Sequence, residues 1–202
     1  VSKNGPYLVS GGLPLSEQRI CVDTDGQPHG WKKGRKLPAP KDYSLCRCGH
    51  SGNPPFCDGS HARIGFNGKE KATRKPYKAQ AVVTKGPELL LTDAEELCSG
   101  ARFCHRDGGI WKLTRKSRDP KARQTAIEEA CDCPSGRLVV WDKEGTAIEP
   151  GMKPSIGLVV EPRADHAGPL WVRGGVPVES ADGNTYEVRN RVTLCRCGNS
   201  SN

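Results

Sequence analysis

The chain has 202 residues and a formal net charge of +8, with 24 Gly and 16 Pro taking about one position in five. Its aromatics are only 4 Trp, 4 Tyr and 3 Phe, which argues against one large aromatic-rich core and for small, loop-rich, strand-rich units held by staples. No stretch approaches the roughly 20 consecutive apolar residues of a membrane-spanning helix, and no signal-peptide pattern opens the chain, which begins at Val1 rather than Met.

In chain order, the first predicted strand is Tyr7–Val9, inside Gly5-Pro-Tyr-Leu-Val-Ser-Gly-Gly-Leu-Pro-Leu15. That segment recurs as Gly168-Pro-Leu-Trp-Val-Arg-Gly-Gly-Val-Pro-Val178, at an offset of 163. Tyr43-Ser-Leu-Cys-Arg-Cys-Gly49 recurs as Val192-Thr-Leu-Cys-Arg-Cys-Gly198, at an offset of 149. The chain is therefore a tandem of related modules, and the first copy carries a 14-residue insertion, expected as a Gly/Pro/Lys-rich loop at Gln27–Lys41. Ala79–Val83 is the next expected strand. From position 87 the character changes. Glu88–Leu91 reads as a strand, Thr92 and Asp93 can cap a short helix at Ala94–Leu97, and Ile110–Leu113 reads as a further strand. Asp119-Pro120 places a cap residue and an N1 proline before a helix over Lys121–Ala130. Arg137–Asp142, Gly157–Val160, Leu170–Val172 and Glu187–Leu194 complete the expected strands. The expected fold is β-rich α+β. Two small β modules, 1–86 and 153–202, form an intrachain pseudo-dimer, with a small α+β domain at 87–152 inserted between them.

Ten cysteines stand at 21, 46, 48, 57, 98, 104, 131, 133, 195 and 197. They fall in tight local sets, and neighbours such as Cys46 and Cys48 rarely pair with each other but readily share one inorganic centre. Metal or cluster sites are therefore expected over disulfides; Cys21, with no neighbour, is expected as a small buried residue. Cys46-Arg-Cys48-Gly-His-Ser51-Gly-Asn-Pro54-Pro-Phe-Cys57-Asp-Gly-Ser-His61 carries the spacing C-x-C-x8-C-x3-H. Cys57 and His61 are four apart, so one helical turn would present both on one face. The Gly/Pro-rich loop before them can bring backbone N–H groups to bridging sulfides. Three thiolates and an imidazole suit tetrahedral zinc or an iron–sulfur centre, and the one-residue spacer counts against zinc, whose pairs run C-x2–4-C. His50 is expected on the surface.

This stretch resembles the CDGSH iron–sulfur (mitoNEET-like) family, whose signature ends as Cys57-Asp-Gly-Ser-His61 does. The resemblance implies a [2Fe–2S] cluster held by Cys46, Cys48, Cys57 and His61 in a β-rich, dimeric fold, with Ser51 and Pro54 also in pattern. In the second copy Cys195, Cys197 and Ser200 are present, and Asn202 aligns with Asn53. This is a partial second site, expected to be completed beyond Asn202 and to carry a second [2Fe–2S] cluster, with a dead copy that binds none as the alternative.

Cys98-Ser-Gly-Ala101-Arg-Phe-Cys104 and Cys133-Pro134-Ser-Gly136 form another constellation. Bacterial ferredoxin sites run C-x2-C-x2-C with a remote Cys-Pro, and here the central position is Ala101. Three thiolates remain. The segment resembles the divergent mono-cluster ferredoxin family, which implies a [3Fe–4S] or [4Fe–4S] cluster bound by Cys98, Cys104 and Cys133. Cys131 is the candidate fourth ligand, and a zinc-stapled loop is the alternative.

No phosphate loop, nucleophile elbow or paired-carboxylate motif is present, so no catalytic residue is expected; His105 and His166 sit in polar turns. The leading expectation is one-electron transfer, not catalysis. A cluster donor or redox and pH sensor comes second, because a protonated His leaves more readily than Cys. A zinc-stapled nucleic-acid module comes third. Cluster charge lowers the net charge to roughly +4 or +5. Aromatics do not interleave with the basic runs Lys69–Lys78 and Lys112–Arg123, as single-strand binders require. The expected partner is a redox or cluster-acceptor protein, acidic in character, with no nucleic acid or membrane, and the expected state is a monomer with an internal pseudo-two-fold. Intact thiols favour a reducing compartment, a bacterial cytoplasm before a mitochondrial matrix.

Overall fold

The computed structural model describes residues 1–162 and 167–200. Near the start, β1 (Tyr7–Val9) pairs antiparallel with β4 (Tyr43–Leu45), across a longer ribbon of β2 (Leu15–Val22) and β3 (Pro28–Leu37). A tight turn joins β2 to β3: Asp23 Oδ1 accepts the N–H groups of Asp25 and Gln27, and Gly26 takes φ +79°. The expected loop at Gln27–Lys41 is thus mostly strand. Its basic residues concealed it, because Lys32, Lys33, Arg35 and Lys36 lie exposed on a sheet-edge strand, where charge deters further pairing.

Two single helical turns follow, α1 (Ser60–Arg63) and α2 (Tyr77–Gln80). The strand expected at Ala79–Val83 is displaced, because Pro76 opens α2 and β5 (Val82–Lys85) begins only after it. β5 pairs with β6 (Leu90–Asp93), and Glu95–Leu97 forms a 3-10 turn where a short helix was expected. α3 (Ile110–Arg115) replaces the strand expected at Ile110–Leu113. Ile110, Leu113 and Thr114 are buried at helical spacing, and a four-residue apolar run does not by itself separate helix from strand. α4 (Pro120–Asp132) starts as expected, with Asp119 Oδ1 accepting from the N–H of Lys121 at 2.8 Å and of Ala122 at 3.3 Å. β7 (Leu138–Trp141) and β8 (Ala147–Ile148) complete a four-stranded sheet in the order β5-β6-β7-β8. Leu89, Leu91, Ile110, Leu113, Ala126, Leu138 and Val140 form its core, and Cys104 packs into that core.

The last strands are β9 (Ser155–Val160), β10 (Leu170–Arg173) and β11 (Arg191–Leu194). The strand expected from Glu187 forms only at Arg191. These strands join the β2–β3 ribbon in a five-stranded sheet, order β11-β10-β9-β2-β3, with β2 parallel to β9. The repeat is preserved in the register. Tyr7 faces Leu45 as Leu170 faces Leu194, and Val9 faces Tyr43 as Val172 faces Val192. One core holds Tyr7, Val9, Tyr43 and Leu45 together with Ile156, Leu158 and Leu170. The two ends of the chain therefore bury their apolar faces against each other. Among the described residues no helix is long and apolar enough to cross a membrane.

Candidate metal centres

β4 delivers Cys46 at its end. The chain then loops and returns, so that Cys46 N–H donates to the Pro55 carbonyl at 2.8 Å and Cys57 N–H to the Ser44 carbonyl at 2.9 Å. The loop is fixed from within. Ser51 Oγ donates to the Phe56 carbonyl at 2.6 Å and accepts the Asn53 N–H, and Asp58 accepts the N–H groups of Gly52 and Ser60. Ser60 and Gly52 together hold the Asp58 carboxyl well below the usual carboxylate range. Asp58 therefore acts as a brace. Gly59, at φ +85°, turns the chain into α1, a conformation that glycine takes without a Cβ penalty. Cys57 precedes the helical turn instead of lying on it, yet the four-residue reach to His61 survives.

The side chains meet in two pairs: Cys46 Sγ lies 3.7 Å from Cys48 Sγ, and Cys57 Sγ lies 3.4 Å from His61 Nδ1. Two ligands on one tetrahedral iron, at roughly 2.3 Å for sulfur and 2.0–2.1 Å for nitrogen, stand about 3.6–3.8 Å apart. Each pair therefore has the bite of one metal ion. Among the described residues no three His, Cys, Asp or Glu side chains gather as for a single ion. Paired donors suit a two-iron centre better than one zinc. His61 Nε2 lies instead toward Gly5 of the opening loop, 3.5 Å from where a Cβ on that residue would stand. Cys46 and Cys48 are buried, and burial pushes the Cys48 thiol up; a bound cation would reverse that shift. His50 is exposed, as expected, with Nδ1 2.7 Å from the Cys48 carbonyl. Cys21 is half-buried in β2 instead of buried.

The second constellation converges on one concavity. Cys98 follows the 3-10 turn, Cys104 lies in the 3-10 stretch Phe103–Gly108, and Cys133 caps α4. All three, with Ala101, Pro134 and Arg137, line one small hollow. Burial first, then the charges of Cys133 and Cys98, push the Cys104 thiol up to about 11. The charges of Cys133 and Cys98 thus oppose ionisation of Cys104, and a cationic iron core would relieve that opposition. Cys131 is turned elsewhere: its Sγ lies 3.7 Å from the Ile148 carbonyl of β8. His105 is exposed, 6.0 Å from the Trp111 ring between centroids, and His166 lies outside the described residues.

Several residues around this hollow had no motif to announce them. Arg137 is held by Asp93 at 2.6 Å and 2.9 Å. Arg191 of β11 is buried and donates to the carbonyls of Ala130, Cys131 and Cys133. Trp31 of β3 packs on Phe103 and Trp171, and its Nε1 donates to the Asp132 carbonyl at 3.0 Å. A buried arginine or an inward tryptophan on a strand mistaken for a loop leaves no local signal in sequence.

Cys195 and Cys197 follow β11 as Cys46 and Cys48 follow β4, with Sγ atoms 3.3 Å apart. Burial raises the Cys195 thiol, but the N–H groups of Cys197, Ser200 and Gly198 and the Cys197 side chain outweigh it, so the net shift is downward. The two motif loops lie back to back. A Cβ on Gly49 would stand 2.6 Å from the Cys197 carbonyl oxygen, and one on Gly198 would stand 2.7 Å from that of Cys48. Tyr7 Oη also donates to the Cys195 carbonyl at 2.7 Å.

Thiolate pairs on Gly-rich loops, with one imidazole and a separate three-cysteine hollow, define an iron–sulfur protein. Residues 4–62 and 167–202 match the family described as iron-binding zinc finger CDGSH type, and residues 84–143 match the family described as divergent 4Fe-4S mono-cluster. The two ends of the chain are thus similar to the CDGSH family, and the segment between them is similar to the divergent mono-cluster family. A search of curated proteins found no match to it.

Proposed function

We propose that this protein carries single electrons between clusters and a redox partner. In this reading Cys46, Cys48, Cys57 and His61 hold a [2Fe–2S] cluster, and Cys98, Cys104 and Cys133 hold a [3Fe–4S] cluster or a four-iron cluster with one non-cysteine corner. Cys195 and Cys197 supply half of a second CDGSH site. The clusters would supply one-electron redox chemistry; the chain's residues fix, shield and connect them. One observation supports electron transfer above the rest. The ligand loops are linked by packed backbone: Cys48 and Cys197 touch through Gly198 and Gly49, and Arg191 grips the Cys133 carbonyl four residues before Cys195. Four residues of strand make a path of about 13 Å. The three cysteine sets are therefore linked through β11, whose Arg191 reaches the Cys133 carbonyl and whose end leads into Cys195, beside the Cys48 loop. The partner is a redox protein, acidic in character, and the working units are the three modules expected at 1–86, 87–152 and 153–202, with β5 (Val82–Lys85) moved to the middle one, whose sheet it joins.

Iron and sulfide analysis with EPR of oxidised and dithionite-reduced protein tests this reading. A three-iron signal in the oxidised protein and a [2Fe–2S] signal on reduction are expected, and Cys133→Ser should remove only the former while Cys131→Ser keeps both. A colourless protein that binds zinc alone would overturn the reading. A second role, cluster donation governed by pH, is favoured by the lone imidazole ligand, since His61 is only half-buried. Transfer of iron to an apo-acceptor faster at pH 6 than at pH 8 would establish it.

A further inference from the structure

The middle site has a gap at a defined place. Ala101 stands midway between Cys98 and Cys104, where the C-x2-C-x2-C pattern carries its central thiolate. The candidate fourth ligand, Cys131, faces the Ile148 carbonyl of β8 and does not line the hollow. Ala101 lines the three-cysteine hollow, and it also lines a second cleft with about 930 Å³ of space open to solvent. That cleft lies between the cysteine loop and the five-stranded sheet, with Ile20 of β2 and Val159 of β9 on its far wall. Arg102 and Glu161 sit at its polar end, Nη2 to Oε1 at 3.7 Å, and Glu161 Oε1 has no hydrogen bond. Arg102 is held at φ +61°, a left-handed conformation uncommon outside glycine.

We propose that the corner of the middle cluster beside Ala101 is an exchangeable coordination site, reached through this cleft and filled by a low-molecular-weight thiol. The proposal rests on the three-thiolate reading of the middle site, in its four-iron form. An external thiolate replaces the side chain that Ala101 lacks. Arg102 supplies its counter-charge, and the apolar wall takes a short carbon chain. No electron would move in such an exchange: the thiol would give up its proton to solvent and its sulfur would take the place of a solvent ligand at that corner, beside the gap that Ala101 leaves.

The test uses the full chain, reconstituted anaerobically with excess iron and sulfide and reduced with dithionite. The middle signal is isolated by difference from Cys133→Ser, and 2-mercaptoethanol is the probe. The wild-type EPR signal should shift saturably with thiol, Ala101→Cys should hold four irons and show no shift, and Arg102→Asn should weaken the response about fivefold. A wild-type signal indifferent to thiol overturns the proposal, as does a shift that persists in Ala101→Cys. A shift that appears only in Cys131→Ser also overturns it, because Cys131 then holds that corner. If Cys133→Ser loses no iron, the three-thiolate reading itself is wrong, which is a separate and recognisable failure.

Discussion

At the scale of single residues, His61 offers Nδ1 beside the Cys57 sulfur while Nε2 lies toward the opening loop, so the same ring can hold iron at one nitrogen and exchange a proton at the other. Replacing imidazole by thiolate adds negative charge at the metal. Rieske centres show that histidine ligation raises the potential, and the reverse change should lower it by on the order of 100 mV for one ligand. His61→Cys should therefore give a lower-potential, more acid-resistant cluster in an EPR-monitored redox titration; an unchanged potential would remove His61 from the ligand set. Glu129 is a different case. It is fully buried in α4, neither oxygen has a hydrogen bond, and Arg106 Nε approaches only to 4.0 Å. Burial, against the attraction of Arg106, pushes its carboxyl up to about 8. A raised carboxyl means that the unfolded chain releases this proton first. Its effect on stability is absent below about pH 4 and becomes a loss as pH rises from there to about 8. Urea unfolding at pH 5.5 and pH 9 should show most of the loss, up to about 3 kcal/mol between those two values, and Glu129→Gln should largely abolish it.

At the scale of elements, the contact between the two motif loops depends on glycine for two separate reasons. Gly49 and Gly198 both take φ +77°, and each leaves room for a carbonyl of the other loop. Gly49→Ala should cost the left-handed penalty of roughly 1–2 kcal/mol and also push the Cys197 carbonyl away. Gly11 is the control, at φ +85° with nothing within 4 Å of a built Cβ. Gly11→Ala should show the conformational cost alone. Thermal melting with visible absorbance checks the pair: Gly49→Ala should melt lower than Gly11→Ala and lose colour first. Equal melting points would mean that the loop contact contributes nothing.

At the scale of the molecule, the two repeats pack against each other within one chain, and this pairing is expected to take the place of pairing between chains. Dimers of small modules are commonly symmetric, and linking both copies in one chain makes their association intramolecular, at high effective concentration. The parallel β2–β9 pairing and the core shared by Tyr7, Leu45, Ile156 and Leu170 already cover the apolar faces of both modules. Sedimentation equilibrium should accordingly give a mass near 21.9 kDa. A stable species of twice that mass would show that the modules pair across chains.

Sequence alone determined what is local. The spacing of Cys46, Cys48, Cys57 and His61, the Cys98–Ala101–Cys104 gap and the Asp119-Pro120 helix start were all legible, because each depends on residues within a few positions of one another. The tandem repeat was legible too, down to which residues of β1 and β10 correspond. Only the tertiary structure decided the rest. β3 read as a loop because its charges answer to solvent on an edge strand, and Ile110–Leu113 read as a strand because four apolar residues have no period until a neighbouring core selects a face. The turning of Cys131 toward Ile148, the clamp of Arg191 on the Cys133 carbonyl and the back-to-back packing of Gly49 and Gly198 are likewise tertiary. Each joins positions 17 or more residues apart in the chain, and no local pattern of residue types records which distant carbonyl a side chain will meet.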